Sequence, residues 1–126
     1  MTQEEIDKLE RLIGQVSGIH AELSALSKKS PNDAVNKFKL GLINAVIHDT
    51  NTFLGSDRPA GGFSHFEPDD VPSNSDVTFV VSLYMEALEK IRSDNIEEGI
   101  LGKWHYRGKA GAGIRTAPPS KLQRKV

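Results

Sequence analysis

The stretch KWHYRGKAGAGIR, residues 103–115, sets Trp104, His105 and Tyr106 among Lys103, Arg107, Lys109 and Arg115. Cationic side chains neutralise phosphates and aromatic faces stack on bases. This interleaving is the minimum chemistry for an anionic ligand, a nucleotide or nucleic acid, or an acidic protein surface. Trp104 and Tyr106 serve equally well as hydrophobic anchors of a hairpin. A second anion-facing element is GSDRPAGG, residues 55–62, in which Arg58 stands close to Gly61 and Gly62. Glycine lets backbone approach a ligand closely, so these three residues join the seven above as the expected binding set.

Downstream in the same segment, His65 with Glu67, Asp69 and Asp70 offers imidazole and carboxylates, the ligands of zinc or a harder cation. A metal-dependent hydrolase built on His65 is therefore the alternative from another class. The spacing lacks the EF-hand pattern, and Asp69 and Asp70 can instead answer the chain's own basic tail. His20 and His48 fall at different distances from the turn near Ser30, so they are not expected to share a site. No G-x-S-x-G elbow occurs, and GKAGAG is followed by IRTAPP, which cannot open the helix a phosphate-binding Walker loop requires. With no cysteine there is neither a thiolate nucleophile nor a disulfide. The expectation is a small non-enzymatic binding or regulatory protein acting through the basic extension and the 55–74 loop, without catalytic residues, metal or cofactor, with a purely protein–protein interaction module as a further alternative.

The formal charge of -1 conceals a division. Residues 100–126 carry seven Lys or Arg and no Asp or Glu, leaving nine basic against 17 acidic residues in positions 1–99. A basic tail on an acidic body either folds back on that body or serves an outside anion. No basic n-region with an apolar run and no long apolar segment is present. A cytoplasmic protein with no membrane association is expected.

The elements that must carry these residues are helical. Ile6, Leu9, Ile13, Val16, His20 and Leu23 recur at helical spacing, and Thr2 with Glu5 forms a capping box, predicting a helix over 2–29. Ser30 as cap with Pro31 at the first position predicts a second helix over 31–54, antiparallel to the first, ended by Gly55. Val77, Val81, Tyr84, Leu88 and Ile91 predict a third, capped at residues 73–75. Between them, 55–74 is too long for a plain connection, and Phe63, Phe66 and Val71 should clip it to the bundle as an ordered crossover. Glycines from Gly99 to Gly113 end helical structure, and 103–107 should pair with 114–117 as a hairpin. No internal repeat is present.

The fold class is thus all-α: a three-helix bundle, made of a long antiparallel helical pair and a third helix after the crossover. A bundle domain, 1–99, precedes a basic Gly-rich extension, 100–126. The apolar surface of the helices exceeds what three can cover, which predicts a homo-oligomer, most simply a two-fold dimer.

Overall fold

The computed structural model describes residues 1–108 and 113–120. Lys109, and the C-terminal part of the basic tail from residue 121, lie outside the described residues.

Helix α1, Gln3–Lys29, starts as its sequence dictates. The Glu5 amide donates to Thr2 Oγ1 at 3.1 Å and the Thr2 amide donates to Glu5 Oε1 at 2.8 Å, satisfying two end donors reciprocally. The hydrogen bonds with Thr2 hold the Glu5 carboxyl below its ordinary value. Ile6, Leu9, Leu12, Val16 and Leu23 form the buried stripe, while His20 sits at its half-buried edge, 3.5 Å from Ser24 Oγ.

The second helix does not begin at Pro31. Helix α2 spans Lys37–Leu54, capped by Asn36, whose Oδ1 accepts from the Phe38 and Lys39 amides. Residues 31–33 instead form a turn, with the Asp33 amide donating to Ser30 O, and Ala34 bridges Ser73, because another helix claims the carbonyls of this segment. The Asn74 and Ser75 amides donate to Asp33 O and Pro31 O at 2.8 and 3.0 Å, and the Val35 amide donates to Pro72 O. Helix α3, Asn74–Asp94, thereby finds acceptors for its first donors, with Ser73 Oγ capping Asp76. Its stripe of Val77, Val81, Tyr84 and Leu88 packs mainly against α1, more extensively than α1 packs on α2.

Residues 55–73 form the expected ordered crossover, with short 3-10 turns at Gly55–Asp57, Ala60–Gly62 and Pro68–Asp70. Asn44 on α2 clamps it through both backbone polar groups of one residue, Phe66. Its Nδ2 donates to Phe66 O at 2.9 Å and its Oδ1 accepts from the Phe66 amide at 2.8 Å. Asn51 Nδ2 donates to Phe63 O, and Tyr84 Oη donates to Asn51 Oδ1 at 2.7 Å. Burial pushes the Tyr84 phenol up from its ordinary value. Phe66 is buried against Phe63 in an edge contact. Val71 does not clip the loop. It ends the Pro68–Asp70 turn at φ 50°, in the left-handed region, with its side chain in solvent. Removing the clamp by Asn44→Ala should cost about 1–3 kcal/mol by urea unfolding, because two buried backbone groups lose their partner.

The extension differs from the expected hairpin in its partner. Strand β1, Ile96–Glu98, pairs antiparallel with β2, Trp104–Tyr106, in the register Ile96 to Tyr106 and Glu98 to Trp104. The expected 114–117 partner lies on the other edge of β2 but forms only one bridge, His105 to Arg115. There the Tyr106 amide donates to Ile114 O and the Thr116 amide to Trp104 O. Ile96, buried directly after the end of α3, seeds the first strand, and Gly102 at φ 70° permits the turn. Among the described residues no helix is long and apolar enough to cross a membrane.

Candidate anion-binding groove

Antiparallel pairing sorts the extension into two faces. Ile96, Trp104 and Tyr106 face the helices, with Tyr106 fully buried and Trp104 half-buried against the core. Tyr106 Oη donates to the Glu10 carboxylate of α1. His105 lies opposite both Glu97 and Arg115, so these three side chains share the outer face.

His105 is held in place there. Its Nδ1 lies 2.9 Å from Tyr106 O, and a Cβ at Gly99 would stand 3.0 Å from the imidazole. Gly99→Ala therefore requires the ring to move, and a loss of about 1–3 kcal/mol in thermal unfolding is expected from this overpacking.

Gly102, Lys103 and Trp104 from one side, and Arg115, Thr116 and Pro118 from the other, line a groove of about 400 Å³. The two cations come from neighbouring chain segments joined by the hydrogen bond from the Thr116 amide to Trp104 O at 3.1 Å. Among the described residues, neither the Lys103 nor the Arg115 side chain makes a hydrogen bond or an ion pair. Arg107 differs, since its Nε donates to Ile96 O at 3.0 Å and is tied to the sheet.

The structure thus brings Lys103, Trp104 and Arg115 to one place, with His105 on the adjoining outer face. Arg58, Gly61 and Gly62 do not line this groove. Gly61 and Gly62 adopt φ of 54° and 99°, and the exposed Arg58 guanidinium stands beside Gly62. Asp69 and Asp70 form no ion pair with the described part of the extension. His65 is exposed, bonded to Ser64 Oγ, and among the described residues no three His, Asp or Glu side chains converge as a metal site.

Besides Tyr106, what docks the tail is a set of residues outside the expected list. Arg92 on α3 donates from Nε and Nη2 to the two Glu89 carboxylate oxygens, both at 2.8 Å. Its Nη1 donates to Thr116 Oγ1 and Ala117 O, and its Nη2 to Pro118 O. Glu89 also accepts from the Ser120 amide, and Glu10 from Thr116 Oγ1. Burial raises the Glu89 carboxyl, but its bonds with Arg92 and Ser120 and the Arg92 charge outweigh this, leaving it below its ordinary value. The neutral groups of the tail are therefore fastened by Arg92, Glu89 and Glu10 of the body, and among the described residues Lys103 and Arg115 take no part.

A larger groove, about 650 Å³, carries Asp57, Glu86, Glu89 and Asp94 beside Ser120. It is lined by these four carboxylates and by Lys90, whereas the charged side chains lining the smaller groove are Lys103 and Arg115. Comparison with known protein families, curated proteins and solved structures finds no match to this chain.

Proposed function

We propose that this chain is a small non-enzymatic binding protein that takes an anionic ligand or partner in the Lys103–Trp104–Arg115 groove and self-associates through its helices. The observation carrying the first part is the pair of cations beside Trp104 that have no partner among the described residues, on a tail whose docking is done by other residues. A charge-assisted hydrogen bond contributes about 1.5–3 kcal/mol. Lys103→Ala and Arg115→Ala should thus each weaken binding of inorganic polyphosphate by about tenfold or more in calorimetry. Unchanged affinity in both variants would overturn the reading. The crossover serves as scaffold, fixed by Asn44 and Asn51.

Self-association is supported by α2, where Phe38 is 76% and Leu42 56% exposed one turn apart on the same side. Apolar side chains of that size in contiguous contact with water mark an interface. Light scattering should give twice the chain mass, and Phe38→Asp with Leu42→Asp should give the monomer. A monomeric wild type at micromolar concentration would remove the proposal.

A further inference from the structure

We infer that the ligand of this groove is a single-stranded nucleic acid, with one base stacked on Trp104 and flanking phosphates on Lys103 and Arg115. The inference rests on the anion-binding reading and adds what the groove does beyond charge. Trp104 is held as a platform: half-buried against the core, its backbone is paired with β1 on one edge and bonded to Thr116 on the other. The part of the ordered Trp104 ring left open in a groove it lines together with two cations accepts any base, because every base has a π-face.

The hairpin tip extends this surface. Ile100 and Leu101 are 89% and 88% exposed, and Leu101 is held at φ 65°, a left-handed conformation that leucine disfavours. Neither residue fills the protein's own core, and the same turn supplies Gly102 and Lys103 to the groove. Backbone strain together with exposed aliphatics is the pattern of a contact surface, and aliphatic side chains pack against unstacked bases.

Charge gives the strand a direction. Glu97 and Glu98 make the β1 edge acidic, with Glu98 opposite Trp104 and its carboxylate beside Gly102 at one border of the groove, whereas Arg115 lies on the opposite edge of β2. Phosphates are repelled from the first edge and drawn to the second. Single strands fit better than duplex, since a duplex hides its base faces, and a three-residue ribbon is short for reading a major groove. A carboxylate-rich peptide would satisfy the cations and leave Trp104 and the tip unused.

Trp104 is the chain's only tryptophan, so its fluorescence reports this groove directly. The full chain is titrated with a labelled oligo-uridine, the same strand annealed to its complement, and inorganic polyphosphate. The expected result is quenching by the single strand, with affinity that falls steeply as salt rises. Trp104→Leu and Trp104→Phe lack the fluorophore and are read by anisotropy of the labelled strand; the first should weaken binding at least tenfold and the second should restore most of it. Ile100→Ser with Leu101→Ser, at positions that bury nothing, should weaken it about fivefold and leave polyphosphate binding unchanged. Equal affinity for single strand, duplex and polyphosphate, with no loss in Trp104→Leu or the tip variant, would overturn the nucleic-acid inference and leave the anion reading standing. Absence of binding to all three would overturn both.

Discussion

Arg92→Ala is expected to destabilise the protein by about 3 kcal/mol, the low end of the effect of removing one partner from a buried ion pair. The corresponding drop in melting temperature is roughly 10–15 °C for a domain of this size. The Arg92 side chain is only 7% exposed, and it serves Glu89, Thr116, Ala117 and Pro118 at once. Alanine leaves the Glu89 charge, 23% exposed, with only the Ser120 amide, so its desolvation is no longer offset. The tail carbonyls at Ala117 and Pro118 are exposed enough to recover water, which keeps the loss from being larger. Arg92→Lys retains charge but not the planar fork, so an intermediate value should be measured. The pH dependence has a definite sign. Because the Glu89 carboxyl is held low when folded, its contribution is present above its unfolded value near about 4.3 and is lost as pH falls through the folded value. Wild type should therefore lose more stability than Arg92→Ala between pH 6 and pH 3. Binding should weaken too, since Thr116 and Pro118 line the groove and Arg115 depends on the docked tail for its position.

The role of Arg92 also shows where local pattern stopped being informative. Val77, Val81, Tyr84 and Leu88 define a stripe whose next inward positions are 91 and 92, so the burial of Arg92 continues a legible period. Its partners lie 24 to 26 residues further on, beyond anything local spacing conveys. The start of α2 failed for the same reason. Ser30-Pro31 obeys the rules for a helix start, yet Asn74 and Ser75, more than 40 residues away, take the carbonyls that such a helix would have used. Thr2 with Glu5 and the stripe of α1 were readable because every group they involve lies within one turn. In the site, the types and spacing of Lys103, Trp104 and Arg115 were readable as chemistry. Their meeting follows from a chain reversal that glycine signals locally, although β1 was hidden by its brevity and by two glutamates. Arg58 belongs to the same expected binding set because both segments suit anions, but it does not line the groove. The crossover instead follows Asn44, Asn51 and Tyr84, a set of polar anchors on α2 and α3 whose spacing carries no recognisable motif.

Tyr106→Ala should be at least as damaging, by about 3–5 kcal/mol, since it removes a large ring from the layer where the extension meets α1. Tyr106 is fully buried and its hydroxyl donates to Glu10, so the comparison with Tyr106→Phe separates packing from hydrogen bonding. Phenylalanine keeps the ring and leaves Glu10 with Thr116 Oγ1 at 3.3 Å, for an expected loss of about 1–3 kcal/mol. An alkaline titration distinguishes the two contributions further. Burial, then the bond to Glu10 and its charge, push the Tyr106 phenol far above its ordinary value. The unfolded chain therefore releases this proton at about pH 10, before the folded one does, and stability present below that pH is lost as pH rises. Tyr84, raised by burial, adds to the loss with the same sign. Urea midpoints measured from pH 8 to pH 11 should fall more steeply for wild type than for Tyr106→Phe, so the gap between them narrows as pH rises. Parallel curves would mean that the phenol is not buried against Glu10, and the docking of the tail through that contact would have to be abandoned.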